Sequence, residues 1–427
     1  MDHKLLTQSV QSKFNYYLKK YKNDFTKPEC RFVQEIILGI LKSQSVILNQ
    51  IAIHINDKIS IKKTVERFRR HLSKINFWEK LLTNHIKYVT SQISNNGFAL
   101  LDLSDIQKKY STKMEGLEKV KDGNHKDKIG LGYWLMNILY IDSNGDKIIP
   151  LYNKLYSFAK DTLSENKEIL SGIFTVDDKI NKSLTWVIDR GGDRSQILWP
   201  LLKNGMNFII RSTGVRHMLH QERALAVNKI GRKTTLKYNF TIKKKGRKRI
   251  ETVRYSGGAR QVKYINQDTK QTFHKNLWLV VLKGEGRGYS WYIVSSNKQN
   301  QYEVVSEVLR GYGYRWKIEE YHRHIKTQFN LEDIQLQKFE ALQSMISLLT
   351  LAMGLIYSQL KSLHLKMLKD SPIRILQKNK ICELMGFIYY KIGTVVKILL
   401  SSVRPWSFIP NFSIENTNEN QLALNLF

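Results

Sequence analysis

Apolar positions recur every three to four residues through roughly the first ninety residues, then change period. Residues 1 to about 25 are polar with scattered aromatics and suit a helix. Phe32 to Leu41 and Val46 to Ile55 read as amphipathic helices, the second opened by Ser43 or Ser45 as N-cap. Ser60 can cap a third helix running to His71, and Ile75 to Gln92 continues helical. From Asn95 the pattern becomes that of strands. Gly97 precedes the apolar run Phe-Ala-Leu-Leu-Asp-Leu, a buried strand carrying Asp102. Residues 105 to 128 are polar and read as a loop. Tyr133 to Ile141 and Lys147 to Ser157 are strands joined by Asp-Ser-Asn-Gly-Asp, a hairpin signal. A helix over 163 to 181 follows, then a strand Leu184 to Ile188 that ends at Asp189, a helix Ser195 to Leu202 and a strand Asn207 to Arg211. This alternation predicts a mixed α/β sheet.

From Thr213 to about Asn297 the sequence alternates again, giving at least four strands and a very basic hairpin tip, Lys243 to Arg249. Helix returns with Tyr312 to Lys326, predicted as one helix starting near Gly311, and again over 335 to 405. Met345 to Tyr357 is apolar but shorter than a bilayer span needs, so a buried helix is expected and a membrane is not. Pro410 to Phe427 reads as a polar tail. The expected divisions are 1–94 (helical), 95–212 (first part of the core), 213–300 (β-rich insertion), 301–340 (core helix) and 341–427 (C-terminal helices and tail).

Charge changes the picture more than composition does. Sixty-nine Lys and Arg face 37 Asp and Glu, a net charge of +32. Such an excess attracts polyanions, and nucleic acid is the expected partner. The third N-terminal helix carries Lys62, Lys63 and Arg67, and three short helices with the basic one last form a helix-turn-helix pattern. An ordinary bundle with a solvated basic face has the same signature. Two cysteines, Cys30 and Cys382, without metal-ligand spacing suggest a reducing compartment and no structural zinc. The N-terminus lacks the apolar core of a signal peptide, and no GxxxxGK[ST] loop implies a nucleotide cofactor.

At about 100° per residue, Tyr312, Arg315, Glu319 and Lys326 fall within roughly 60° on one helix face. Tyr314, Ile318, Tyr321, Ile325 and Phe329 line the opposite face. Arg315 and Glu319 could be no more than an exposed i,i+4 pair. Asp102 and Asp189, however, each lie in or at the end of an apolar strand, which is costly without a partner or a metal. If these strands are neighbours, both carboxylates converge and Glu319 can complete an oxygen cage for Mg²⁺, with Mn²⁺ as a substitute. Two such ions suit in-line phosphoryl transfer. A strand-end cap or a salt bridge is the ordinary alternative for either Asp alone.

The spacing Y-x2-R-x3-E-x6-K, met by Tyr312, Arg315, Glu319 and Lys326, resembles the signature of DDE transposases of the "insertion sequence four" family. LLDLSDI around Asp102 and IDRGGD around Asp189 are similar to that family's other motifs, and the resemblance covers roughly residues 30 to 340. It implies a ribonuclease-H-like core interrupted by a β-rich insertion and flanked by helical regions. The triad would be Asp102, Asp189 and Glu319, with Tyr312, Arg315 and Lys326 on phosphates. By the same resemblance Trp291 would stack on a flipped base and Arg211 would contact DNA, although Trp291 also fits a core aromatic on a strand. The family cuts and pastes DNA by nicking, hairpin formation, hairpin opening and strand transfer. That implies double-stranded DNA with terminal inverted repeats, a target duplex, a homodimer on DNA and a bacterial cytoplasmic location. A repressor that has lost catalysis, or a structure-selective nuclease of the same core, would share parts of this pattern.

Overall fold

The computed structural model describes residues 3–121, 129–160, 164–245, 250–369, 387–401 and 403. The tip of the basic hairpin at 246–249, Cys382 and the polar tail 410–427 lie outside the described residues. Five helices open the chain: α1 (His3–Lys19), α2 (Lys27–Ser43), α3 (Leu48–Ile55), α4 (Ile61–Leu72) and α5 (Phe77–Thr90). Thr26 and Glu29 form a reciprocal capping box at α2, and Ser60 caps α4 as its position suggests. The residue at the N-cap of α3 is Ile47, not a serine; Ser45 instead accepts the Ile47 N–H at 3.1 Å and shapes the turn before it.

The core sheet follows as β1 (Phe98–Gln107), β2 (Glu118–Lys121), β3 (Ile129–Ile141), β4 (Ile148–Tyr156), α6 (Glu165–Ile180), β5 (Thr185–Ile188), α7 (Ser195–Lys203) and β6 (Asn207–Ser212). β1 runs on to Gln107 and β2 occupies part of the segment expected to be a loop. β3 pairs antiparallel with β1 and with β4, whereas β1, β5 and β6 are parallel neighbours. The order β4-β3-β1-β5-β6, with α6 and α7 as crossovers, is the ribonuclease-H-like arrangement.

The insertion contributes β7 (His217–His220), β8 (Arg223–Ala226), α8 (Val227–Arg232), β9 (Tyr238–Lys245), β10 (Ile250–Ile265), β11 (Thr272–Gly284) and β12 (Tyr289–Ser295). β12 pairs antiparallel with β6, so these strands extend the core sheet rather than forming a separate one. The chain then enters α9 (Gln301–Gly313), α10 (Trp316–Thr327), α11 (Phe339–Gly354), α12 (His364–Lys369) and α13 (Tyr389–Ser401).

Alternation along the strands gives the sheet two buried faces. Leu100, Val187, Ile209 and Tyr292 share one core with Ile318, Tyr321 and residues of α11. Ala99, Leu101, Ile188 and Ile210 share the other with Ile173, Val176 and Leu198 of α6 and α7. The apolar helix, counted through a wide turn to Gln359, spans 21 residues and is long and apolar enough to cross a membrane, more than its apolar run implied. Within this fold 94% of its 18-residue apolar window is buried. Its polar groups find partners on β4: Asn153 Nδ2 donates to Thr350 Oγ1 at 2.5 Å, and Gln343 Nε2 to the Leu155 carbonyl at 3.2 Å.

Gly311 lets α9 lie close on the sheet, because a Cβ there would meet Phe98 Cε1 at 2.6 Å and Ile209 Cδ1 at 3.0 Å. Alanine would favour the helix by ~1 kcal/mol, but overpacking a filled core costs about 1–3 kcal/mol. Gly311→Ala is therefore expected to lower the thermal midpoint in a melting scan. A raised midpoint would show that α9 is not seated as described.

Candidate active site

The segment carrying Tyr312 to Lys326 is not one helix. α9 ends at Gly313, and Arg315 stands at the N-cap of α10, so Tyr312 closes one helix while Glu319 and Lys326 ride the next. The expected apolar face is present, with Ile318, Tyr321, Ile325 and Phe329 all buried.

Asp102 lies in β1 with the same parity as Leu100, on the face covered by α10. Asp189 follows β5 directly. Leu101 pairs with Ile188 across the parallel strands, which sets the two aspartates side by side. Asp189 Oδ1 also accepts the Gly191 N–H at 2.7 Å, so the Arg-Gly-Gly turn after β5 fixes its rotamer. Glu319 projects from the first turn of α10.

One guanidinium joins all three. Arg315 Nη2 lies 3.1 Å from Asp102 Oδ1 and 3.7 Å from Asp189 Oδ2, and Nη1 donates to Glu319 Oε1. The triad inferred from sequence is thus assembled by distance. One positive charge meets three carboxylates, leaving a formal charge of −2 if all are ionised. Burial pushes the Asp102 carboxyl up, the Arg315 charge opposes this, and the Asp189 and Glu319 charges add to it, so that it titrates at about 7. The site is short of positive charge. Oxygen-only donors with excess negative charge fit a hard divalent cation. As the side chains stand, no group of three acidic, His or Cys residues among the described residues is closed enough to hold a metal ion. The guanidinium stands between the carboxylates.

His322 was not singled out from the sequence. It sits one turn beyond Glu319, buried, with Nδ1 3.8 Å from Asp102 Oδ2 and Nε2 without a partner. Burial, followed by the Lys326 and Arg315 charges, pushes its pKa down to about 3, so it is neutral against Asp102. The Glu-x-x-His spacing, which places both on one helix face, was the available signal.

Other positions depart from expectation. Lys326 does not stand free for a phosphate: Nζ is 3.3 Å from Asp105 Oδ1 and 3.1 Å from Glu332 Oε1, tying α10 to β1. The buried Asp105 carboxylate needs that cation. Trp291 packs on the opposite face of the sheet from the triad, among residues of the α6–α7 core. Its ring fills a slot between Gly214 and Gly231, either of which would clash with it if given a Cβ. Tyr292 is the β12 residue that faces the triad side; its ring lies 4.8 Å from that of Tyr312, with Arg211 stacked over Tyr312 at 5.8 Å. Arg211 and Tyr312 therefore share the triad's face. In α4, Lys62 and Lys63 are exposed, but Arg67 is held by Glu35 at 2.5 Å and Asp57 at 2.9 Å and braces the helices instead. Asp193, the last residue of the second motif, is also structural: Arg216 binds it and Ser212 Oγ donates to it at 2.8 Å, fastening the insertion to the core.

The family model for the Transposase DDE domain matches residues 167–355. This segment carries the likeness of a transposase DDE domain. The match spans Asp189 and Glu319, while Asp102 lies before it and joins the site by geometry. A solved structure, the "Cryo-EM structure of piggyBac transposase synaptic complex with hairpin DNA", is similar at 10% identity and a TM-score of 0.47, covering 97% of this chain and 83% of that one. No curated protein matches this chain. The matched domain is that of a DNA-cleaving phosphoryl-transfer enzyme, a class that uses divalent metal ions.

Asp102 has a folded-state pKa of about 7, above the ordinary 3.8. Its contribution to stability is therefore full below pH ~4 and is lost as pH rises through 7. Asp102→Asn in metal-free buffer should be more stable than wild type at pH 8, by about 1–4 kcal/mol at ~1.4 kcal/mol per pKa unit. The two should converge below pH ~4. Chemical denaturation across pH measures this, and a less stable variant at pH 8 would contradict the charge balance described here.

Proposed function

We propose that this enzyme is a cut-and-paste transposase of the "insertion sequence four" kind, with Asp102, Asp189 and Glu319 as its metal-binding residues. The observation that carries the reading is Arg315 bound to all three carboxylates, Asp102 within β1, Asp189 just after its parallel neighbour β5, and Glu319 on α10. The donor set suits two Mg²⁺ ions, with Mn²⁺ as a substitute. When bound, such ions activate the attacking oxygen and stabilise the leaving one in an in-line displacement.

The protein's own groups do the positioning. β1 and β5 hold Asp102 and Asp189 rigidly, and α10 brings Glu319 across the sheet edge. Arg315, released from the carboxylates, offers a fork of N–H donors to a phosphate. Tyr312 and Arg211 stand on the same face to meet the DNA backbone. His322 presents a neutral ring beside Asp102 and holds its orientation. Water attacks the phosphodiester at the element's end and frees a 3′-hydroxyl. That hydroxyl attacks the opposite strand to give a hairpin, water opens the hairpin, and the 3′-hydroxyl then attacks target DNA. No covalent bond between protein and DNA is required. The hairpin step draws no support from Trp291, which lies on the other face. The exposed Lys62 and Lys63 of α4 support a contact with the terminal inverted repeat; in this reading two protomers join the two ends, and the setting is the bacterial cytoplasm.

The test is incubation with Mg²⁺ of DNA carrying the inverted repeats that flank the reading frame, resolved on a denaturing gel. Wild type should cut at the repeat boundary. Glu319→Gln should bind the same DNA with cleavage reduced by at least ~10³-fold, in keeping with loss of a group acting on the transition state. Specific binding without cleavage in Mg²⁺ or Mn²⁺ would instead mark a DNA-binding repressor.

A further inference from the structure

Beyond the triad, the strongest unexplained feature lies at the far edge of the sheet. β7, β8, α8 and β10 enclose a cavity of about 470 Å³ floored by Leu225 and Ile230 and ringed by His220, Arg223, Lys233 and Arg260. No acidic side chain lines it. Among the described residues, none of Arg223, Lys233 and Arg260 is in an ion pair, whereas Arg67, Arg194, Arg216 and Arg315 all are.

The cations are also aimed. Arg260 Nη2 donates to the Lys233 carbonyl at 2.6 Å, and Nη1 lies 3.4 Å from His220 Nε2. His220 Nδ1 lies 3.2 Å from the Gln261 carbonyl, which places the ring proton there and leaves Nε2 as the acceptor for Arg260. Two neighbours thus orient one guanidinium while most of its donors stay free. The β7–β8 turn keeps Gln221 and Glu222 at φ of 47° and 60°, a hairpin turn built without glycine or asparagine. Glu222 is not among the residues that line the cavity.

β7 lies five strand spacings from β5, roughly 24 Å at ~4.8 Å per step. His220 and Arg260 share the parity of Met218 and Val262, whose side chains join the α6–α7 core, so the cavity opens on the face opposite the triad. A phosphate held there is not the one being cut. We propose that this cavity is a second DNA-backbone site, taking phosphodiester groups of duplex DNA remote from the cleaved bond. This rests on the transposase reading only in naming DNA as the source of the phosphates. An acidic peptide would satisfy the same charges, since a guanidinium fork pairs with carboxylates too; a chain of net charge +32 favours an extended polyanion, and duplex DNA is the one proposed.

The test compares wild type, Arg223→Gln/Lys233→Gln and the triple variant that adds Arg260→Gln, each checked for an unchanged melting curve. The double variant alters exposed side chains only, so it remains informative if the triple variant fails to fold. Binding to a random-sequence duplex of about 30 base pairs is measured against salt. Each lost phosphate contact lowers the slope of log K against log[salt] by ~0.9, so the double variant should lose about 2 and the triple about 3. At saturating protein the Mg²⁺-dependent cleavage rate on the inverted-repeat substrate should stay within about twofold of wild type. Unchanged slopes would overturn the proposal, and so would unchanged duplex binding combined with lost binding to polyglutamate. Lower slopes in a protein that cuts no DNA would uphold the backbone site while removing the cut-and-paste reading.

Discussion

A single guanidinium facing three carboxylates governs this active site. Asp102 and Asp189 are brought together by strand pairing, and Glu319 by the seating of α10. The Asp189 and Glu319 charges oppose ionisation of the buried Asp102 carboxyl, and a cation beside it favours ionisation. Arg315 supplies one, and its position between two helices is what allows it to reach all three. The break falls at Tyr314 and Arg315, between α9 and α10. The close seating of α9 at Gly311 and the clamp of Lys326 on Asp105 fix the two helices on the sheet on either side of Arg315.

This view connects fold to chemistry. A site that needs positive charge when empty will take it from whatever is nearest. Divalent ions compete with Arg315 for the same oxygens, and a phosphate competes with the same oxygens for Arg315. On the proposed reading the carboxylates would hold the metal and Arg315 would be free for a phosphate. The sheet that holds the carboxylates continues without interruption through β6 and β12 into the insertion.

Much of this was legible in the sequence. Buried strands bearing a lone Asp, the Asn-Gly hairpin and the apolar stripe of α10 have signals carried by a few neighbouring residues. The three carboxylates that Arg315 joins were singled out from such patterns together with the family resemblance. What was not legible depends on register and on partners far along the chain. Trp291 and Tyr292 are adjacent, and one step of pleat decides which faces the triad; only the pairing of β12 with β6 settles it. Arg67 and Lys326 look like free cations until Glu35, Asp57, Asp105 and Glu332 arrive from other elements. The helix break before Arg315 has no proline or cap residue to mark it, and the insertion reads as a separate unit because nothing local says that its last strand adds to the core sheet.

The most direct test of the central claim is a crystal structure of the protein soaked in Mn²⁺, read by anomalous scattering. The account predicts manganese density within bonding distance of Asp102 and Asp189, with the Arg315 guanidinium displaced from both. Arg315 still bridging the three carboxylates in saturating Mn²⁺, with no anomalous peak between them, would contradict it.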